Sequence, residues 1–349
     1  MTDVFAHPWL GGLFQDPEMA AIWSPEQQLQ HYIAFEAAWS RALGVVGLED
    51  AALAEQAAIA IEAAEFDVAG LRAGTARDGL AIPAFVIQLR EVAGKAAVHN
   101  GSTSQDVMDT GLALTLRETS LLVAKRLNAL QHALGALDRQ FGQRPLMGRT
   151  RMQAATQITV SDRIDTWLLP LAGHLARLSD LRSRTERVQI GGASGDRLAM
   201  RGKGQALADV IADALDLASV DKAWHATRAE LVEYANLLAL ISGSVGKMGQ
   251  DVCLMAQQGL DEIALSGGGG SSAMAHKQNP ILAELLITLG QFNAVQIGGM
   301  HQAMIHEQER SGSAWSLEWM ILPQMAQAAG RSLSAAIEVC SKIERMGAP

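Results

Sequence analysis

Between residues 231 and 255 apolar side chains recur at Leu231, Tyr234, Leu238, Ile241, Val245, Met248, Val252 and Met255. Steps of three and four residues keep them on one helix face for about seven turns. Two other stretches share the rhythm. One runs through Leu112, Leu116, Val123, Leu127, Leu130, Leu134 and Leu137, the other through Ile164, Leu168, Leu171, Leu175, Leu178 and Leu181, with Pro170 marking a kink. An ordinary helix has about 11–12 residues, whereas thirty residues make a rod of roughly 45 Å. Several such rods can bury their stripes only against one another, which predicts an all-α helical bundle. Gly243, Gly246 and Gly249 interrupt the third rod and are expected either where a second helix approaches closely or where the rod is less regular.

The N-terminal residues read differently. Their helical patterns are short and broken by Gly11-Gly12, Pro17, Pro25, Gly44, Gly47, Gly70, Gly74 and Pro83. This predicts a small helical N-terminal domain over 1–103, followed by a long-helix bundle over 104–349. Composition agrees. The chain is 49% hydrophobic but only 5% aromatic, which opposes a β-rich fold. A net charge of −9 without a basic run excludes the footprint of a nucleic-acid binder. No apolar stretch reaches the ~18–20 residues that span a bilayer, and the start MTDVFAHPWLGG lacks the basic and apolar regions of a signal peptide. The expectation is a cytoplasmic protein without a membrane partner. Cys253 and Cys340 form neither a disulfide framework nor a metal knuckle and read as small buried hydrophobes.

Two Gly-rich stretches break the rods. QIGGASGDRLAMRGKG (189–204) reads as irregular or hairpin-like. SGGGGSSAMAHKQNP (266–280) places four glycines, two serines, His276, Lys277 and Asn279 before Pro280 and an apolar-periodic run. Asn279 suits a helix N-cap and Pro280 the first helical position. A helix start beside a lysine favours an anion. The stretch reads either as a substrate-closing loop or as a flexible linker before a capped helix.

GSSAMAHKQNP resembles the signature GSSxMPxKxNP of the fumarase/aspartase superfamily, departing at Ala275. VHNGSTSQDVMDTGL (98–112) resembles that superfamily's first conserved region. MGRTRMQAATQIT (147–159) resembles its second, with Arg151 where a histidine is usual and Gln157 where a proline is usual. Three such motifs stand in order, separated by rods, and the resemblance covers essentially the whole chain except the end. GLAIPAFVIQLRE (79–91), QIGGASGD (189–196) and HEQERSGSAWSLEW (306–319) narrow the resemblance to the 3-carboxy-cis,cis-muconate lactonizing branch. That branch usually carries a third, C-terminal helical domain, which is expected to be missing or truncated here.

The resemblance implies chemistry across a C–C bond beside a carboxylate, through an aci-carboxylate intermediate. It makes Ser271 the general acid/base, with Lys277 and Asn279 stabilising the extra negative charge. A serine hydroxyl is too weak a base unless loop N–H donors and the lysine lower its pKa. His99 matches the first-region histidine and joins the catalytic candidates. Thr103 and Ser104 would donate to a substrate carboxylate, or cap the helix that follows, or both. Arg149, Thr150, Arg151 and Arg310 are anion-binding candidates, although Arg151 could equally be a salt bridge and the stretch around Arg310 only a connection. Glu284 would balance Arg151 or Lys277. Lactonization needs less help at position 151, because the nucleophile is the substrate's own ionised carboxylate.

The implied substrate is a small anionic di- or tricarboxylate, and the implied assembly a homotetramer with composite active sites. No metal or organic cofactor is expected, since the histidines lack ligand spacing and no phosphate or dinucleotide fingerprint is present. Alternatives are a 3-sulfomuconate cycloisomerase, an adenylosuccinate- or argininosuccinate-type lyase, and a non-catalytic helical scaffold.

Overall fold

A computed structural model describes residues 3–267, 269–270 and 278–347. Six short or medium helices open the chain: α1 (Gly11–Phe14), α2 (Pro17–Ile22), α3 (Pro25–Val45), α4 (Ala51–Glu62), α5 (Val68–Asp78) and α6 (Ile82–Ala93). Asp16, Ser24, Asp50 and Asp67 each accept a backbone N–H at the start of α2, α3, α4 and α5, which is why the chain restarts a helix after each break. The long helices follow: α7 (Ser104–Phe141), α8 (Val160–Thr185), α9 (Gly204–Leu215, short), α10 (Ala229–Met255), α11 (Ile281–Ala303) and α12 (Ser313–Lys342). The predicted stripes of α7, α8 and α10 are its buried faces, and α8 continues through Pro170.

Two small antiparallel hairpins interrupt this helical architecture. β1 (Pro145–Thr150) pairs with β2 (Gln153–Thr159), and β3 (Ile263–Leu265) pairs with β4 (Ile343–Met346). The first turns through Arg151 and Met152, whose φ values are 49° and 67°. A two-residue hairpin turn needs that left-handed backbone, but neither residue is the Asn or Gly that usually advertises it.

α10, α11 and α12 pack side by side, with α7 and α8 against them. The glycine expectation holds at two positions of three. A Cβ on Gly249 would lie 2.5 Å from the Ala283 carbonyl oxygen, and one on Gly246 would lie 3.2 Å from that of Leu286. Gly243 faces open space. On the opposite helix, a Cβ on Gly290 would lie 2.9 Å from the Ser242 carbonyl oxygen. α10 and α11 thus touch backbone to backbone.

Two details differ from expectation. Pro280 (φ −79°, ψ 57°), not Asn279, is the cap of α11, which begins at Ile281. The Asn279 backbone is committed elsewhere, exchanging N–H···O bonds of 3.0 and 3.1 Å with Gly269. In addition, α11 is long and apolar enough by length and composition to cross a bilayer, with a mean hydropathy of 1.3 over its most apolar window. Glu284, glycines and the polar Thr288, Gln291, Asn293 and Gln296 break its apolar runs, so no long apolar stretch stands out in the sequence. In this fold it packs against α10 and α12, with 33% of that window buried.

Candidate active site

The first conserved stretch is a loop held from below by α3. Ser40 Oγ donates to the Ala97 carbonyl at 2.7 Å, Trp39 Nε1 donates to the Asn100 carbonyl at 3.2 Å, and Glu36 Oε1 lies 2.5 Å from His99 Nδ1. Positions 36, 39 and 40 share one helix face, so a single helix fixes three points of the loop. His99 adopts a left-handed backbone (φ 61°), a conformation that costs a non-glycine residue roughly 1–2 kcal/mol. Glu36 is completely buried and its second oxygen has no partner among the described residues. Burial of His99 pulls its pKa down, but the Glu36 carboxylate, by charge and hydrogen bond, outweighs this and holds it above the usual histidine value.

Thr103 is the N-cap of α7, and its N–H donates to Asp106 Oδ2 at 3.1 Å. Ser104 is the first residue of the helix. Asp106, fully buried, also accepts the N–H groups of Gly191 and Gly192 at 2.9 Å each and lies 2.8 Å from His225 Nε2. One carboxylate therefore ties the first motif to the 189–196 turn. Arg310 joins the same cluster: its Nε donates to Gln105 Oε1 at 3.0 Å and its Nη2 to the Ala193 carbonyl at 3.2 Å. The stretch around Arg310 is indeed a helix connection, between α11 and α12, and it also touches this site.

Beneath lies a fully buried charge cluster. Arg228 donates to both oxygens of Asp109 (2.7 and 3.0 Å) and of Glu318 (2.8 and 2.5 Å). Desolvation opposes its charge, but the two carboxylates more than compensate and raise its pKa.

The second motif lies at the other end of α7. A 38-residue helix spans roughly 57 Å, so Arg149, Thr150 and Arg151 cannot reach His99 within one chain. Thr150 and Arg151 are exposed at the hairpin tip, and Arg149 Nη1 donates to Glu262 at 2.5 Å. Beside the hairpin, Arg149, Arg151, Arg163 and Lys247 line a groove of about 610 Å³ with Asp251 and Glu262. Four cations face two carboxylates, so the groove is net positive in a chain of charge −9. Arg163 and Lys247 were not among the sequence candidates. They sit on α8 and α10 outside any motif, and nothing local marks them.

The described part of the third motif is at this same end. Gly249, near the end of α10, meets Ala283 in the first turn of α11. Glu284 is exposed on that turn. Asn279 lies beside Gly269, with Lys342 lining the adjoining cavity. Ser271, His276 and Lys277 lie outside the described residues. In one chain, therefore, the second and third motifs share one end of the bundle and the first occupies the other.

Residues 14–296 match the family described as "Lyase". A 3-carboxy-cis,cis-muconate cycloisomerase of Pseudomonas aeruginosa is 35% identical over 353 residues, covering 99% of this chain and 77% of that protein. The chain belongs to the lyase family of the fumarase/aspartase superfamily. The crystal structure of the 3-carboxy-cis,cis-muconate lactonizing enzyme from Pseudomonas putida superposes on this lyase with a TM-score of 0.90 at 34% identity, over 97% of this chain and 77% of that one. An N-acetyl-S-(2-succino)cysteine lyase of Enterococcus italicus is 30% identical, covering 89% of this chain and 70% of that protein. The lyase described here thus spans about three quarters of the length of these relatives.

Proposed function

We propose that this enzyme lactonizes 3-carboxy-cis,cis-muconate to a carboxymuconolactone. The observation that carries the reading is the net-positive groove of Arg149, Arg151, Arg163 and Lys247. It suits a substrate bearing several carboxylates, and 3-carboxy-cis,cis-muconate cycloisomerases recur among the relatives at 30–35% identity. Arginine at 151 supports the same reading, because an intramolecular carboxylate nucleophile needs no base at that position.

In the proposed reaction a substrate carboxylate oxygen attacks the far carbon of a C=C bond. A C–O bond forms as the π pair moves to the carbon beside the other carboxylate and into that group. Asn279, Lys277 and the start of α11 stabilise the resulting aci-carboxylate. Ser271 then delivers a proton to the α-carbon, completing the lactone. Thr103, Ser104 and Arg310 hold a carboxylate at the first motif, where Glu36 keeps His99 oriented and inclined to be protonated. Since this motif and the other two lie at opposite ends of one chain, a complete site requires copies packed end against end. A homotetramer with sites composed from several subunits meets that need.

A second reading has a specific observation behind it: the 30% identity to an N-acetyl-S-(2-succino)cysteine lyase. A succinyl-thioether elimination would use the same aci-carboxylate and release fumarate. Incubating the purified protein with 3-carboxymuconate, N-acetyl-S-(2-succino)cysteine, adenylosuccinate and argininosuccinate, with diene absorbance and fumarate both followed, separates the readings. Diene loss without fumarate from any succinyl compound is expected. Fumarate release with the muconate untouched would overturn the proposal. Ser271→Ala should abolish turnover while leaving the helical circular dichroism intact.

A further inference from the structure

A cavity of about 340 Å³ lies between the N-terminal helices and the α7–α12 pair, at the first-motif end of the bundle. Its walls carry three indoles, Trp23, Trp315 and Trp319, the phenol of Tyr32, and two carboxylates, Asp109 and Glu318. The volume is in the range of small-molecule sites.

Several features show that the space is built into the fold. Gly111 lines it, and a Cβ there would lie 2.8 Å from the Tyr32 ring, so glycine lets the ring lie flat against α7. Tyr32 is only 7% exposed, yet its hydroxyl makes no hydrogen bond to any described residue. The hydroxyl oxygen is not sealed from solvent and opens on the cavity, where it can take a partner. Burial, aided by the Asp109 charge, raises its pKa and keeps it neutral. Trp315 is almost fully buried, and Trp319 meets it edge-on with ring centroids 4.9 Å apart.

The charge of the wall selects the ligand. Asp109 and Glu318 share the single guanidinium of Arg228. Two carboxylates and one guanidinium leave a formal charge of −1, with His306, 3.3 Å from Glu318, adding charge only when protonated. Arg228 itself does not line the cavity, so the charged groups that do are the two carboxylates, set among indole, phenol and aliphatic side chains with the neutral Gln28, Thr75 and Thr115. Carboxylates repel an anion such as the proposed substrate, whereas indole and phenol faces attract a cation. We propose that this cavity binds a small organic cation, an amine carrying an apolar or aromatic body. Its ammonium would donate to Asp109 and the Tyr32 oxygen, and its body would lie against the tryptophans. Asp109 also accepts from Gln105, whose other end takes Arg310, so the site shares Asp109 and Gly111 with the first conserved stretch but does not include His99, Thr103, Ser104 or Arg310.

The test uses the full-length protein at about pH 8 and three probes of one shape: benzylamine, benzyl alcohol and benzoate. Binding is read by tryptophan fluorescence and by ligand-observed NMR. Benzylamine should bind saturably and at least tenfold more tightly than benzyl alcohol, and benzoate should not compete with it. Trp319→Ala, which removes one half-buried wall, should weaken benzylamine at least fivefold. Leu80→Trp, which fills the space from its rim, should abolish binding. Both variants are checked for wild-type circular dichroism. No saturation by benzylamine at roughly 10 mM, weaker than the millimolar affinity worth about 4 kcal/mol, would overturn the proposal. So would equal binding of the three probes, or wild-type affinity in both variants.

Discussion

Two alanine substitutions six residues apart on α10 should act in opposite directions. Gly243 has no heavy atom near the place where a Cβ would sit. Gly243→Ala therefore gains only helix propensity, about 0.8–1 kcal/mol. Gly249 gains the same propensity, but its Cβ would stand 2.5 Å from the Ala283 carbonyl oxygen and 2.8 Å from Leu286 Cβ. The carbonyl belongs to the first turn of α11 and cannot rotate away, so the helices must separate. Overpacking of this kind costs about 1–3 kcal/mol. Because the contact is against backbone, the upper end applies, leaving Gly249→Ala about 2 kcal/mol less stable after the propensity gain. The two variants should then differ by about 3 kcal/mol, more than a hundredfold in the folding constant. Urea denaturation followed by circular dichroism, at one protein concentration, reads this as midpoints on either side of wild type. Equal midpoints for the two variants, or a more stable Gly249→Ala, would refute the view that α10 and α11 pack backbone to backbone there.

Other outcomes follow from the first-motif end. Glu36→Gln removes the charge that raises the His99 pKa, leaving burial to lower it. The pair's contribution to stability is complete below the ordinary histidine value and is lost as pH rises through the raised one. NMR titration of the His99 ring should show its midpoint falling in the variant; an unchanged midpoint would mean the carboxylate does not face the ring. Asp106→Ala strips the acceptor from two buried glycine N–H groups and from His225. It should cost about 3–5 kcal/mol, read in the same urea experiment. At the other end, Arg163→Gln and Lys247→Gln should each raise KM for 3-carboxymuconate several-fold with a smaller change in kcat, and the effect should shrink at high salt. A change in kcat alone would remove these side chains from substrate binding.

The rods were legible wherever large aliphatic residues mark the buried face, as in α7, α8 and α10. α12 was not, although it is 30 residues long. Its buried middle is mostly small, Ala326, Ala328, Ala329, Gly330, Ser332, Ala335 and Ala336 around Leu333, with Pro323 inside. Close helix packing selects small residues there, and small residues leave no hydrophobic stripe to read. The β1–β2 hairpin was hidden because its turn uses Arg151 and Met152 in place of glycine or asparagine. At the site, local motifs pointed to His99, Thr103, Arg149 and Asn279. Their partners could not be read, because Glu36 is 63 residues from His99 and Glu262 is 113 from Arg149. Only the folded chain pairs them. The same holds for the division of the motifs between two ends, which follows from the length of one helix.

The central claim is an addition across a C=C bond that ends with a proton delivered to the α-carbon. Its most direct test is proton NMR of the reaction with 3-carboxymuconate run in deuterium oxide. The account predicts a lactone carrying one new deuterium at the carbon beside the carboxylate, no fumarate, and no product with Ser271→Ala. An unreacted diene, or a lactone formed equally well by Ser271→Ala, would contradict it.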